Sequence, residues 1–283
     1  MGIIFLFLIV QGLSEPTMAQ VAHTFVNDGL HVYAIAETYG CYNEKLRKRV
    51  GTKFEFKEHE VTHTFYCYLS APITKFSGGV GFLVSEYIHR RVTKFSDDGT
   101  GRIASLTVLI NTQHITFSAY ANYGHEQVKI DKFGRFLQRL ENHITPRTLV
   151  GIDANTRLRK PAGAKIHADD PLGTFAPEFH SRCNSRRDEL LWNFCKLHDL
   201  GALATFSNQK CRYTHVRPKY PMNGQRKRVK FVRNWIDYML VSHDFRKRFR
   251  ATAKIAKKEV VTDHLSILVK AKIRRIWYIA WFW

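Results

Sequence analysis

The chain has 283 residues, enough for two domains or for one large layered domain. Hydrophobic residues make up 45% and charged residues 24%, which is the composition of a folded globular protein and excludes a disordered or low-complexity chain. Lys and Arg total 44 against 24 Asp and Glu, a net charge of +20. This excess is larger than solubility requires and predicts a polyanionic partner.

The five cysteines are scattered along the chain. They form no C-x-x-C pair and show no Cys/His spacing typical of a structural zinc site. An odd number of cysteines, without the density of a disulfide scaffold, predicts reduced thiols and an intracellular location, the nucleus included.

The apolar run IIFLFLIV, residues 3–10, admits two interpretations. It is long enough for the core of a signal peptide, and Ala19 with nearby small residues could mark a cleavage region. No Lys or Arg precedes the run, which favours a fully buried strand. The run is too short to span a bilayer, so stable membrane insertion is not expected.

The next elements alternate between helix and strand. Residues 14–16, SEP, predict the start of a helix that ends at Asn27-Asp28-Gly29. Residues 31–36, HVYAIA, predict a second strand with Glu37 at its carboxyl end, where α/β sheets commonly place their ligand sites.

Residues 51–120 show short β-rich runs separated by glycine-rich and Asp-Gly turns, which predicts an antiparallel meander. Helical spacing returns at 126–140. RTLVGI then predicts a strand that ends at Asp153.

The last third predicts one helix and four strands. Asn184 can cap a helix whose expected buried residues are Leu190, Leu191, Phe194 and Leu197. The runs ALATF, NWIDYMLV, ATAKIA and LSILVKA read as strands. Because βαβ units and hairpins are mixed in this order, we expect an α/β protein with two sheets packed together and helices outside.

Residues 210–258 carry a local excess of +14, with 16 basic residues against two acidic ones. A solvated charged face is the simpler interpretation. Aromatic residues lie between the charges, however, and this pattern favours a surface that tracks nucleic-acid phosphates. The residues predicted to make these contacts include Arg226, Lys227, Arg228, Lys230 and Arg233.

Acidic residues interrupt or end several apolar runs. They are Glu37, Asp153 with Asn155 nearby, Asp237, and Asp263 beside His264. Singly, each has an ordinary explanation as a turn acid, a strand cap or a core histidine. Buried carboxylates are costly unless paired or bound to a cation, so their repetition predicts a site for Mg²⁺ or Mn²⁺. An Asp–His pair could then orient or deprotonate a water.

The motifs GGVGFLV, FSAYA, LVGIDANT, RRDELLWNFCKLHDL followed by ATF, WIDYMLV and TDHLSILV occur in this order. Together they resemble the endonuclease/exonuclease/phosphatase superfamily over about residues 9–272. The resemblance is strongest to the endonuclease domains of non-LTR retrotransposons and to craniofacial-development-protein-2-like proteins. It implies a deoxyribonuclease-I-like four-layer α/β sandwich, with two mixed sheets face to face and helices outside.

The resemblance also implies roles for individual residues. Glu37 matches the metal-binding glutamate, and Asp263 matches an acid that helps to hold the metal. Asp153 and Asn155 match a D-x-N pair that positions the nucleophile and phosphate. Further matches are Tyr120 with a tyrosine that approaches the scissile phosphate, Thr205 with a threonine on the phosphate-binding face, and Asp237 and His264 with the Asp–His pair that binds phosphate and polarises water.

Three positions depart from the pattern. Ile9 stands where the resemblance places an asparagine amide, Asn122 replaces a proline, and Thr262 replaces a serine. The first change removes an amide ligand, so we expect weakened activity. Gln11 is an alternative source of that amide.

The expected function is metal-dependent cleavage of nucleic acid, with nicking of DNA as the leading reaction. The alternatives are a nucleic-acid-binding relative with impaired catalysis and a phosphatase acting on another phosphoester. We expect one such domain over residues 1–272 and an aromatic tail of unassigned role at 273–283. Nothing in the sequence indicates oligomerisation.

Overall fold

The structure of the protein is a computed structural model. It describes residues 2–41, 43, 50–58, 61–74, 77–121, 130–160, 170–172, 185–206, 213–219, 230–234, 236–255, 264–265 and 267–273. The three cysteines among them, Cys41, Cys67 and Cys195, are free thiols. Within these ranges, no helix has both the length and the hydropathy needed to cross a membrane.

Fifteen strands and five helices are described. The strands are β1 Gly2–Ile9, β2 Val32–Ala36, β3 Thr52–Glu58, β4 Val61–Leu69, β5 Val80–Ser85, β6 Val92–Asp97, β7 Ile103–Ile110, β8 Gln113–Ala121, β9 Thr148–Asp153, β10 Leu200–Ala202, β11 His215–Lys219, β12 Lys230–Asn234, β13 Asp237–Ser242, β14 Phe249–Ile255 and β15 Ile267–Ile273. The helices are α1 Glu15–Asn27, α2 Glu86–His89, α3 Ile130–Glu141, α4 Arg186–Leu197 and α5 His243–Arg248.

The first apolar run forms a central strand, as predicted. β1 lies between β15 and β2, antiparallel to the former and parallel to the latter. Its residues from Phe5 to Ile9 are all buried, because both faces of the strand are covered. The predicted helix follows as α1, capped by the Ser14 hydroxyl, which accepts the Thr17 N–H, and with a proline in its first turn.

Two mixed sheets contain most of the strands. One has seven strands in the order β14-β15-β1-β2-β5-β4-β3, and the other has six in the order β10-β13-β9-β8-β7-β6. Each sheet contains one parallel pair, β1 with β2 and β8 with β9. β11 and β12 form a separate two-stranded sheet.

The sheets pack face to face, with helices on their outer sides. Between them the Phe5 and Phe117 rings stack at 5.2 Å, and Phe7 lies so close to Gly151 that a side chain there would clash. Alternate residues of β1 turn outward and pack against Met18 and Val21 of α1. Helices α3 and α4 cover the other sheet through residues that include Phe133. The predicted four-layer α/β sandwich is therefore confirmed.

The predicted antiparallel strands of residues 51–120 are confirmed, but they are divided between the sheets, with β3–β5 in one and β6–β8 in the other. Other local predictions differ from the structure. ATF continues from β10 into a 3-10 turn, Leu203–Phe206, in place of a strand. The basic residues near 215–219 and 230–234 form a hairpin that the apolar pattern did not indicate.

Helix α4 also differs in detail from the expectation. Its cap is Ser185, whose hydroxyl accepts the Asp188 N–H at 3.2 Å, while Asn184 lies outside the described residues. Leu191 and Phe194 are buried as expected, but Leu197 is 77% exposed. Two residues of helix rotate by about 200°, which turns Leu197 away from the face that buries Cys195.

Candidate active site

The ends of two antiparallel strands bring two aspartates together. Asp153 is the last residue of β9, Asp237 is the first residue of β13, and the two are Cα partners in the ladder. β9 therefore ends where β13 begins, at one edge of the six-stranded sheet. Both carboxylates are buried, with 2% and 1% exposure respectively.

The seven-stranded sheet delivers its own residues to the same end of the sandwich. Phe7 packs on Gly151 between the sheets, and Ile9 and Asp153 each lie two residues further along their strands. Side chains two residues apart share a face of a strand. Ile9 and Asp153 therefore both point into the space between the sheets, at its end.

His264 joins the aspartates just before β15 begins. Its Nδ1 lies 2.9 Å from Oδ2 and 3.1 Å from Oδ1 of Asp237. One ligand atom from each of Asp153, Asp237 and His264 lies within 4.8 Å of the others. These three buried residues form the acidic cluster, and the structure brings them together although they are dispersed in sequence.

Asn155 holds the Asp153 carboxylate from the adjacent loop. Its backbone N–H donates to Oδ1 at 3.0 Å and its side-chain amide donates to Oδ2 at 2.9 Å. The residue adopts the left-handed conformation, with φ of 47°, which asparagine tolerates better than most side chains. The D-x-N spacing thus closes a short loop on the carboxylate.

The Asp153 pKa is raised well above its ordinary value. Burial is the largest cause, and the neighbouring charge of Asp237 is the next. Glu37 raises the pKa further, while His264 and the Asn155 N–H lower it. Burial and the neighbouring carboxylates therefore disfavour the ionised form of Asp153.

Glu37 directly follows β2, and its charge acts on Asp153. It has a φ of 59° and is half-buried. Its backbone carbonyl accepts the Gly12 N–H at 2.7 Å, which ties the turn after β1 to the turn after β2. The carboxylate is close enough to Asp153 to raise the pKa of that residue.

The donor set fits a hard divalent cation. Mg²⁺ prefers oxygen ligands and needs only one or two protein carboxylates when it also binds water and phosphate. Asp153 and Glu37 offer such oxygens, and each Asp153 oxygen that accepts an Asn155 hydrogen bond keeps a second lone pair for a cation. A cation here would offset the charge that raises the Asp153 pKa.

Thr214 is a buried residue that the sequence did not single out. Its hydroxyl oxygen accepts the N–H groups of Ile236 at 3.2 Å and Asp237 at 3.0 Å. Its carbonyl accepts the Leu265 N–H at 2.6 Å. Thr214 therefore fixes Asp237 relative to His264. No periodicity or motif marks it, because its role depends on segments that are distant in sequence.

The start of helix α4 braces the loop after Asp153. Arg187 donates from a terminal guanidinium nitrogen to the Ala154 carbonyl at 3.2 Å. The Asp188 carboxylate accepts the Thr156 hydroxyl at 2.5 Å and the Arg157 N–H at 3.2 Å. The RRDELL segment thus contributes to the site by holding its loop.

Tyr120 and Thr205 lie near this end of the six-stranded sheet but outside the acidic cluster. Tyr120 is fully buried, with its ring centroid 6.3 Å from that of Phe136 on α3, and its hydroxyl has no described partner. Burial raises the pKa of that hydroxyl. The Thr205 hydroxyl donates to the Ala202 carbonyl at 2.6 Å. Phosphate contacts by these two residues stay predictions.

Several residues of the predicted metal and phosphate sites lie outside the described residues. They are Asp263, predicted to hold the metal, and Arg226, Lys227 and Arg228, predicted to contact phosphate, together with the substituted positions Asn122 and Thr262. Lys230 and Arg233 belong to β12, opposite Lys219 and Val216 respectively. The roles of all these residues stay predictions.

The site and the two-sheet topology define the class of fold: the chain has the deoxyribonuclease-I-like fold of the endonuclease/exonuclease/phosphatase proteins. It is similar to the endonuclease domain of TRAS1, a telomere-specific non-LTR retrotransposon, with 15% identity, a TM-score of 0.60, and coverage of 96% of this chain and 98% of that one.

Two further structures show the same fold. An endonuclease/exonuclease/phosphatase family protein from Leptotrichia buccalis has 16% identity, a TM-score of 0.57, and coverage of 96% of this chain and 99% of that one. An AP endonuclease from Leishmania major has 12% identity, a TM-score of 0.60, and coverage of 96% and 88%. No protein-family profile and no curated protein matches the sequence.

Proposed function

We propose that the protein is a divalent-metal-dependent phosphodiesterase that cleaves nucleic acid, with nicking of DNA as its reaction. The observation that carries this proposal is the acidic cluster, whose three ligand atoms lie within 4.8 Å of one another at one end of the sandwich. The net charge of +20 supports a polyanionic substrate.

Hydrolysis adds water across one P–O bond, so the attacking water must lose a proton and the departing oxygen must gain one. The Asp237 carboxylate accepts a hydrogen bond from His264 Nδ1, which fixes the orientation of the imidazole ring. Nε2 is then the ring nitrogen that can accept or donate a proton during hydrolysis. His264 is therefore the residue we assign to proton transfer at the water or the phosphate.

Asp153, Asn155 and Glu37 hold the reacting groups in place in this mechanism. Asn155 fixes both oxygens of Asp153, so the carboxylate keeps one orientation toward the site. Asp153 and Glu37 would bind Mg²⁺ or Mn²⁺, which supplies positive charge to the phosphate when bound. We assign Asp263 the role of helping to hold the same metal ion.

The direct test is nicking of supercoiled plasmid by the purified protein. We expect conversion to open circles with Mg²⁺ or Mn²⁺ and none with EDTA, because the proposed chemistry needs the cation. An RNA of similar length tests the choice of nucleic acid. Cleavage that persists in EDTA would contradict the metal-dependent mechanism.

A second candidate function follows from Ile9. This apolar residue is 1% exposed and shares the inter-sheet space with Asp153, where it offers no polar atom to a phosphate or cation. A protein that binds nucleic acid and does not cut it would show plasmid binding by gel shift, with no nicking in either metal.

Metal binding should be measurable without any substrate. Saturating Mn²⁺ should raise the melting temperature of the wild-type protein by roughly 5 °C at pH 8, since a ligand at about 100 times its Kd adds about 2.7 kcal/mol. Asp153→Asn should lose most of this shift. The Glu15→Gln variant, which removes an exposed acid of α1, should keep it.

The raised pKa of Asp153 also predicts the direction in which the stability of the metal-free protein changes with pH. The folded-state pKa of Asp153 is raised, so the native protein binds more protons than the unfolded chain between the ordinary pKa and the raised one. Stability without metal should therefore fall as pH rises through that interval, and Asp153→Asn should reduce the fall. An identical pH profile for the two proteins would contradict the buried charge of Asp153.

A further inference from the structure

A cationic groove lies between helix α3 and the loop that joins β6 to β7. It encloses about 480 Å³, and its lining includes Arg102, Lys132, Arg135, Phe136 and Arg139. No acidic side chain is among the described residues that line it. This groove is separate from the acidic cluster, and its basic residues lie outside the 210–258 region.

The cations of α3 occur at helical spacing. Lys132, Arg135 and Arg139 follow one another at three and four residues, so they lie along one side of the helix, and each is exposed. Like charges at these separations repel and weaken an isolated helix. The helix therefore keeps a row of mutually repelling charges directed at a groove, and an anionic ligand would remove the repulsion.

Asp98 is an acidic residue beside the groove, and its carboxylate is bound to the loop that joins β6 to β7. The Asp98 carboxylate lies 3.8 Å from an Arg139 guanidinium nitrogen. The same carboxylate accepts the backbone N–H groups of Thr100 at 3.1 Å and Ile103 at 3.3 Å, and it is almost fully buried. Asp98 thus shapes the loop and offsets only part of the groove's positive charge.

Phe136 places an aromatic ring among these cations. The guanidinium carbons of Arg102 and Arg139 lie 5.1 Å and 5.9 Å from its ring centroid, and the ring is half-buried. An aromatic ring with guanidinium groups beside it is a surface on which a nucleobase can stack while its phosphates meet the cations.

The groove is at the active-site end of the sandwich. The Gly101 carbonyl accepts the Gly79 N–H at 2.7 Å, and the Gly79 carbonyl accepts the Thr38 N–H at 3.0 Å. Thr38 directly follows Glu37. Tyr120 provides a second link, because its hydroxyl lies within electrostatic reach of both Arg102 and Asp153.

We propose that this groove is a second nucleotide subsite, which binds a phosphate and the adjoining base of the strand whose phosphodiester bond is cleaved at the acidic cluster. The identity of the ligand rests on the proposed function. Arg135 and Arg139 contact the phosphate in this assignment, and Phe136 stacks on the base.

The test is equilibrium binding of a fluorescein-labelled, 12-nucleotide single-stranded DNA in EDTA, where no cleavage occurs. The double variant Arg135→Gln/Arg139→Gln should bind about tenfold more weakly or worse, and its salt dependence should be shallower by roughly 1.4 in log–log slope, for two lost contacts to a single strand. The control Lys57→Gln/Lys94→Gln removes the same charge from exposed residues of β3 and β6 and should keep the wild-type slope.

Stacking is tested separately with Phe136→Leu, which keeps an apolar side chain and removes the ring. Affinity for the single strand should fall about fivefold or more, with the salt slope unchanged, and affinity for the matching duplex should change less. Proper folding of each variant is checked by its melting temperature.

A wild-type slope in the groove variant, or an equal loss in the control, would overturn the subsite. So would binding of polyglutamate that the groove variant loses while its DNA affinity is unchanged, because the groove would then bind an acidic protein segment. If the wild-type protein binds as expected and does not nick plasmid with metal, the proposed catalytic function fails and the subsite stands.

Discussion

Replacing His264 with alanine should reduce DNA cleavage by about 10² or more and leave DNA binding in EDTA nearly unchanged. His264 Nδ1 is hydrogen-bonded to the buried Asp237 carboxylate, which holds the ring in one orientation for the proposed proton transfer. Loss of the ring removes this chemistry and none of the basic surface. The measurements are nicking rates with saturating Mn²⁺ and equilibrium binding by fluorescence anisotropy.

His114→Ala is the matched control, because His114 is an exposed histidine in the β7–β8 hairpin, and its removal should leave both quantities unchanged. His264→Ala also leaves Asp237 buried without this partner, so the variant's melting temperature is measured alongside its rate. Equal losses of binding and cleavage would assign His264 a purely structural role.

Replacing Ile9 with asparagine should increase the cleavage rate by roughly tenfold to a hundredfold. This range corresponds to about 1 to 3 kcal/mol of transition-state stabilisation from one aligned amide. Ile9 occupies the inter-sheet end of β1, on the same side as Asp153. An amide at this position gains access to the reacting phosphate or cation, which the isoleucine side chain cannot bind.

The Ile9→Asn change also places a polar group in a buried position, so we expect a stability cost of about 1 to 3 kcal/mol. Rates should be compared at a temperature where every variant is folded. Ile9→Thr is the control, since it introduces a polar group without an amide and should give no gain. Wild-type turnover that falls on Gln11→Ala would show that Gln11 supplies the amide, and Ile9→Asn would then bring no increase.

The sequence predicted the buried strands well and the exposed ones poorly. Residues 3–10 and 31–36 are nearly all apolar, and an uninterrupted apolar run of that length is typical of a strand covered on both faces. β6 has three exposed residues among six, and the sequences of β11 and β12, HVRPK and KFVRN, mix charged with apolar residues. None of these three segments shows the continuous apolar run or the strict alternation that would mark a strand in the sequence.

The acidic cluster was predictable because it depends on strand ends. Asp153 ends one apolar run and Asp237 interrupts another, and a buried charge in such a position requires compensation. Thr214 and Asp188 were missed for the opposite reason. Their contacts join segments far apart in sequence, and only the assembled sheets show that those segments meet. The helical spacing of residues 126–140 predicted α3, but neither the row of cations on that helix nor the loop that completes its groove was predicted.

The pairing of β1 with β15 has a consequence for the order in which the protein folds. These two strands come from opposite extremes of the described chain, yet they are neighbours from Gly2 opposite Lys272 to Phe7 opposite Ile267. During synthesis, β1 has β2 beside it long before its other edge can be covered. Such distant pairing slows folding, and His264 enters only three residues before β15. A ribosome-bound chain would thus lack His264, the residue proposed for proton transfer, until the seven-stranded sheet is nearly complete.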